Sequence, residues 1–192
     1  VRVRVLDGEG VGAYADGIRR VYADAFSGPP WHEDDPAAAR RYVERLATDA
    51  ARPGFTAALA LDADGAVSGF ATAWTTPDPF PTGRAYDAVA AALGPRRVTD
   101  RLCGALEVDE LAVAPAARGT GTGAALLTAV TAAAPGGRCW LLTSLRAGPA
   151  LRLYRRAGWH RLPEAVPGRA ALTVLLGPAH PDAGAAAGAG AG

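Results

Sequence analysis

The 192 residues include no Lys, Asn, Gln or Met, and only two Cys. Cys103 and Cys139 are too few for a disulfide framework or a four-cysteine metal centre. A chain without Lys has no nucleotide P-loop, which needs Gly-Lys-Ser/Thr. Long apolar runs are missing too. No stretch can span a bilayer, and no charged-then-apolar leader opens the sequence, so no membrane partner is expected. Net charge is nearly nil, at 20 basic against 19 acidic residues and +1 overall. That balance makes no electrostatic case for a nucleic-acid partner. The three His, at positions 32, 160 and 180, are scattered and none has metal-ligand spacing to Cys, Asp or Glu, so no metal is expected. His160 reads as a surface residue and His180 as part of a tail. The expectation is a soluble, cytoplasmic protein, monomeric or homodimeric.

What is abundant is Ala and Gly, together 70 of 192 residues, and all 20 basic residues are Arg. This is the composition of GC-rich, bacterial-type coding. Glycine clusters arise cheaply in such a chain, so a glycine motif carries meaning only through its context. The length fits one domain, placed at 1–180, with residues 181–192 as a disordered Ala/Gly-rich tail.

Alternating Val and Arg over 1–6 predict a strand. Apolar spacing over 14–26 predicts a helix, stopped at Ser27-Gly28-Pro29-Pro30. A second helix is expected over 36–51, with Pro36 in its first turn. Residues 55–61 and 66–74 read as a hairpin around Asp62-Ala63-Asp64-Gly65. A Pro-rich loop over 75–83 precedes a helix over 84–93, which Gly94-Pro95 ends. From there the pattern predicts a long strand over 103–113, a helix over 119–133, a strand over 139–144 and a helix over 149–157 with Gly158 as its left-handed cap. Strands over 159–162 and 170–176 follow. From Gly177 onward no packable apolar pattern is visible.

The informative stretch is 106–127, LEVDELAVAPAARGTGTGAALL. A strand ends at Val113, a short connector contains Pro115, and Arg118-Gly119-Thr120-Gly121-Thr122-Gly123 opens directly into an apolar helix. Three glycines at alternate positions let backbone N–H groups face one point without a Cβ in the way. A helix start supplies unsatisfied donors and a favourable dipole for an anion, so the segment predicts a diphosphate cradle. No early βαβ unit surrounds it, which argues against a dinucleotide fold.

These residues resemble the GNAT superfamily of acetyl-CoA-dependent N-acetyltransferases. The family signature, Arg/Gln-x-x-Gly-x-Gly/Ala between a central strand and a helix, matches residues 118–123 preceded by Glu110-Leu111-Ala112-Val113 and Pro115. A second family motif, Ala-x-x-(Leu/Phe)-Tyr-x-x-x-Gly-(Phe/Trp), matches Ala150 through Tyr154 to Gly158-Trp159. The order of elements agrees over about 1–176. The resemblance implies a single α/β domain with a mixed, mostly antiparallel sheet of about seven strands flanked by helices. It implies acetyl-CoA as cosubstrate and a small-molecule primary amine, small and cationic, as acceptor. Ala147 departs from the pattern: many members have Asn there, so one side-chain contact to the pantetheine arm is missing.

Acetyl transfer requires a deprotonated amine, a polarised thioester carbonyl and a protonated leaving thiolate. By resemblance, the backbone of Leu111, Ala112 and Val113 pairs with the pantetheine arm. Arg118, Gly119, Thr120, Gly121, Thr122, Gly123 and Ala124 hold the diphosphate, although Arg118 could equally close the loop. Tyr154 corresponds to the general acid, against the alternative of a core aromatic with its hydroxyl at the rim. Glu107 or Glu110 corresponds to the general base, against the alternative of pairing with Arg96, Arg97 or Arg101. Trp31, His32 and Glu33 in one loop, with Trp74, Asp78 and Phe80 in another region, correspond to the acceptor side. Aromatics and carboxylates suit a cationic amine, and the alternative is a solvated loop with one buried Trp. A peptide or protein amine, another acyl-CoA, or a non-catalytic acyl-CoA sensor remain as rival readings.

Overall fold

Buried apolar runs make the strands and 3.6-residue apolar spacing makes the helices. The computed structural model describes residues 2–28, 31–33, 35–167 and 171–184. In chain order the elements are β1 (Arg2–Leu6), α1 (Gly8–Val11), α2 (Ala15–Phe26), α3 (Ala38–Asp49), β2 (Thr56–Leu61), β3 (Val67–Thr75) and α4 (Tyr86–Leu93). They continue with α5 (Pro95–Arg101), β4 (Leu106–Val113), α6 (Thr122–Thr131), β5 (Cys139–Ser144), α7 (Gly148–Arg156), β6 (His160–Val166) and β7 (Leu172–Leu176). The strands form one seven-stranded sheet in the order β1-β2-β3-β4-β5-β7-β6. Pairs β1–β2, β2–β3, β5–β7 and β6–β7 are antiparallel, and β4–β5 is parallel. The mixed, mostly antiparallel α/β architecture expected from the sequence is the one observed.

The chain divides into two compact units, Val1–Trp74 with Asp109–Ala132, and Thr75–Val108 with Ala133–Gly192. In the first, Ile18 and Val21 of α2 and Tyr42 and Leu46 of α3 bury against Leu59 and Phe70 of the sheet. Small residues set the spacing here. A Cβ at Gly69 would stand 3.0 Å from Leu126 Cδ1 and 3.1 Å from the Ala112 carbonyl oxygen, so glycine lets α6 seat at this depth. In the second unit, Val89 and Leu93 of α4 and Val98 and Leu102 of α5 pack with Trp140, Leu162, Val174 and Leu176. The buried Trp140 indole donates to Thr76 Oγ1 at 2.8 Å, which satisfies its only polar atom.

Four expectations are corrected. Gly94-Pro95 does end α4, but Pro95 also opens α5: Gly94 turns the chain at φ +81°, and a proline at the first helical position loses no hydrogen bond. The strand expected from Cys103 therefore begins at Leu106. Helix α6 begins at Thr122 rather than Gly119, because Gly119 and Gly121 lie at φ +76° and +85°, outside helical space. Helix α3 begins at Ala38 rather than Pro36, because the Asp35 carboxylate accepts the Ala37 N–H at 2.8 Å and holds a turn ahead of it.

The largest correction concerns the segment after Gly177, where His180 was expected in a tail. His180 is buried, with Nε2 2.9 Å from the Arg101 carbonyl oxygen and Nδ1 accepting the Asp182 N–H at 3.1 Å. Those partners fix the neutral tautomer with the proton on Nε2, and burial lowers the imidazole pKa in the same sense. Ala183 is also buried. Hydrogen bonding, not apolar periodicity, packs this stretch. The rest of the expected tail, 185–192, lies outside the described residues.

Gly177 donates its N–H to the Cys139 carbonyl at 2.8 Å, and a Cβ there would stand inside van der Waals contact of Cys139 Sγ. Gly177→Ala should therefore destabilise the protein by about 1–3 kcal/mol, the usual range for overpacking. Combined with Cys139→Ala, which removes the obstructing sulfur, the two losses should be less than additive in denaturant unfolding.

Candidate active site

Beyond β4 the chain is held by its own side chains. Ala114 N–H donates to the Ser68 carbonyl at 2.9 Å. Arg118 Nε donates to the Val113 carbonyl at 3.2 Å, so this guanidinium closes the loop. Thr120 Oγ1 donates to the Ala117 carbonyl at 2.7 Å and accepts from the Thr122 hydroxyl at 2.8 Å. Gly121 is the N-cap of α6 and brings no side-chain cap. The first helical bond is Ala125 N–H to the Gly121 carbonyl, at 3.0 Å. The N–H groups of Thr122, Gly123 and Ala124 are thus the helix's own unsatisfied donors. Among the described residues, no atom lies within 4 Å of where a Cβ would stand at Gly119 or Gly121. Free N–H donors at a helix start, with open space beside Gly119 and Gly121, are chemically suited to a phosphate or diphosphate.

On β4, parallel pairing with β5 covers Leu106↔Cys139, Glu107↔Trp140 and Val108↔Leu141. Leu111 and Val113, both half-buried, and the buried Ala112 lie beyond those pairs. Glu107 is buried, and the Tyr86 hydroxyl donates to its two carboxylate oxygens at 3.1 and 3.0 Å. Phe80 packs edge-on against Tyr86, with centroids 5.4 Å apart, and lies 6.2 Å from Trp140. Asp78 is exposed. Arg96, Arg97 and Arg101, the alternative partners for the strand carboxylates, pair instead with Asp100, Glu164 and Asp182.

In the first unit the half-buried Asp109 and Glu110 act on an aromatic cluster. Tyr22 stacks on Tyr42 with ring centres 4.5 Å apart and packs tilted against Phe26 at 4.5 Å, and Phe26 lies 5.9 Å from Trp31. The Tyr22 hydroxyl pKa is pushed up to about 12, first by burial, then by the Glu110 carboxylate, with Glu33 and Asp109 adding and Arg45 opposing. Tyr42 is raised well above the ordinary tyrosine value by burial and then by Glu110 and Asp109. Trp31 is 40% exposed, so it is no buried anchor, and His32 and Glu33 are exposed beside it. The fold thus brings Trp31 and Glu33 into one neighbourhood with Glu110. Trp74 is fully buried with the Arg52 guanidinium 4.7 Å from its ring centre, which makes it a core side chain.

Tyr154 is the one buried residue of α7, and its ring centre lies 6.0 Å from that of Trp159. His160 is half-buried. Both cysteines are buried thiols with raised pKa, Cys139 to about 11 through burial, which disfavours a thiolate nucleophile. Among the described residues no group of three or more His, Cys, Asp or Glu is placed to hold a metal ion. None of their helices is long and apolar enough to cross a membrane. Sequence reading missed Tyr22, Phe26, Tyr42 and Tyr86. The first two sit at i,i+4 and registered only as apolar helix positions. Tyr86, the first residue of α4, carried no motif.

The family model described as acetyltransferase (GNAT) domain matches residues 57–161, more than half of the chain. The protein belongs to the GNAT acetyltransferase family. Solved structures agree on this GNAT fold. One, titled histone acetyltransferase HPA2 and related acetyltransferase from Corynebacterium glutamicum, is 20% identical with a TM-score of 0.64, covering 93% of this chain and 97% of that one. A GNAT phosphinothricin acetyltransferase from Sinorhizobium meliloti, in complex with acetyl-CoA, is 23% identical with a TM-score of 0.56, covering 92% and 87%. A GNAT-like decarboxylase in complex with isobutyryl-CoA is 19% identical with a TM-score of 0.58, covering 92% and 98%. No curated protein sequence matches the chain.

The raised Tyr22 pKa has a measurable consequence. A phenol whose folded pKa exceeds its unfolded value of 10.0 adds stability that is fully present below pH 10 and is lost as pH rises through about 12. Melting temperature should fall over that window, and the fall should be smaller in Tyr22→Phe. The ultraviolet titration of the variant should lack one phenolate step near pH 12.

Proposed function

We propose that the protein transfers the acetyl group of acetyl-CoA to a primary amine by direct attack in a ternary complex. The observation that carries this reading is the open glycine cradle at the start of α6, in which Gly119 and Gly121 take left-handed φ and leave the ligand side clear. Acetyl-CoA complexes of the Sinorhizobium meliloti relative and of an acetyltransferase from Salmonella typhimurium support the choice of cosubstrate. The acceptor that fits best is a small cationic amine, because exposed Trp31 and Glu33 share a neighbourhood with Tyr22 and Glu110.

In the reaction the amine nitrogen bonds to the thioester carbonyl carbon and the carbon–sulfur bond breaks. The amine proton passes to a carboxylate, and the thiolate takes a proton from an acid. The loop donors of 119–124 bind the diphosphate, and the backbone of Leu111–Val113 orients the pantetheine arm. Tyr154 protonates the sulfur. Glu110 accepts the amine proton, directly or through water, being half-buried beside the aromatic cluster. Glu107, buried and held by Tyr86, orients rather than transfers protons.

Gly121→Val puts a branched side chain at φ +85°, so the loop must distort and acetyl-CoA binding should weaken by about tenfold or more, the scale of one lost charge-assisted hydrogen bond. Calorimetry on the purified variant checks this, and undiminished affinity rejects the cradle. Tyr154→Phe keeps the ring and removes the hydroxyl. Turnover should drop by about a hundredfold to ten-thousandfold under single-turnover conditions, with acetyl-CoA affinity retained. A rim tyrosine of the core, or a non-catalytic sensor, predicts no such loss.

A further inference from the structure

A groove of about 410 Å³ lies in the second unit, between α7 and the β6–β7 edge of the sheet. It draws on no residue of the glycine loop. Its floor is apolar, formed by Leu151, Trp159 and Leu175. Its rim carries Arg152, Arg155, His160 and Arg161. Three guanidinium groups, charged at every physiological pH, therefore surround one concavity.

Several arginines are paired, Arg41 with Asp35, Arg52 with Asp49, Arg97 with Glu164 and Arg101 with Asp182. Those around the groove are not. Among the described residues Arg152, Arg155 and Arg161 have no carboxylate partner. The local composition explains why. Residues 111–192 hold eight of the 20 Arg and two of the 19 acidic residues, and those two, Glu164 and Asp182, are already engaged. The near-neutral total charge conceals this asymmetry.

We infer that the groove binds a nucleotide-sized organic phosphate carrying at least two negative charges. Guanidinium forks match phosphate oxygens in bidentate fashion. The volume falls in the range of small-molecule sites, where an apolar floor takes the organic part and a few polar groups fix the charged end. An inorganic anion, which has no organic body, would leave Leu151 and Trp159 uncovered. A free nucleoside polyphosphate has this chemistry, and it is a ligand separate from the cosubstrate already proposed for the glycine loop.

The test is calorimetry on the full chain with ATP, coenzyme A, dephospho-coenzyme A, acetyl-CoA and a DNA oligonucleotide as probes. The variants are Arg155→Glu/Arg161→Glu, its neutral counterpart Arg155→Gln/Arg161→Gln, and Gly121→Val. All the substituted arginine side chains are exposed, so melting temperature should hold. ATP affinity should fall about tenfold or more with the charge reversal, less with the neutral pair, and stay unchanged in Gly121→Val. That pattern supports a free nucleotide as occupant. A loss with the charge reversal for coenzyme A, but not for dephospho-coenzyme A, and none for ATP, overturns the inference in favour of the cosubstrate's own phosphate. Unchanged ATP affinity in the charge reversal overturns it too. So does ATP binding that is lost only in Gly121→Val, which places it at the glycine loop. A DNA oligonucleotide that binds more tightly than ATP and is lost with the same arginines also overturns it, in favour of a nucleic-acid surface. Acetyl-CoA binding that fails in every protein, wild type included, rejects the proposed transfer activity and leaves the ATP result standing.

Discussion

The close seat of α6 on the sheet governs where the glycine loop can hold a ligand. Gly69 permits it: a side chain there would meet Leu126 and the Ala112 backbone at once. A helix docked this tightly, through Leu126, Leu127 and Val130, cannot drift along its axis without opening voids. Its N-terminal donors therefore hold a fixed position relative to β4, and the loop between them needs few bonds of its own. Arg118 and Thr120 supply those bonds from its rim, leaving the glycine face clear.

Charge in the first unit follows a different logic. Asp109 and Glu110 are half-buried carboxylates on a strand. Their effect is visible on their neighbours, since they raise the pKa of Tyr22 and Tyr42 beyond what burial alone does. Both phenols stay neutral at any physiological pH. The cluster thus presents aromatic faces and negative potential together, which is the combination that attracts a cation and repels an anion. The second unit, with its surplus of Arg, does the reverse.

The sheet order was not legible in the sequence, but strand existence was, because β2 and β3 are nearly unbroken apolar runs and β5 and β7 are short and apolar. The glycine loop was legible for a physical reason: alternate glycines directly before an apolar helix have few structural uses other than close backbone approach. Helix α5 was missed because Pro95 signals both the end of one helix and the first turn of another. His180 was missed because its burial rests on two hydrogen bonds that no periodicity reports. The aromatic cluster was half visible. Trp31 and Glu33 stood out in a loop, whereas Tyr22 and Tyr42 looked like ordinary helix residues until α2 and α3 were packed side by side.

The ion pairs described above all take their positive end from arginine, as in Arg41–Asp35, Arg52–Asp49 and Arg97–Glu164. A guanidinium holds its proton far above neutral pH and delocalises its lone pairs, so it is a poor nucleophile toward a thioester. A lysine in the same positions would expose an amine to any activated acyl group nearby, and acylation would erase its charge and its ion pair. A chain whose surface cations are all guanidinium groups can handle acyl thioesters without its own salt bridges becoming substrates.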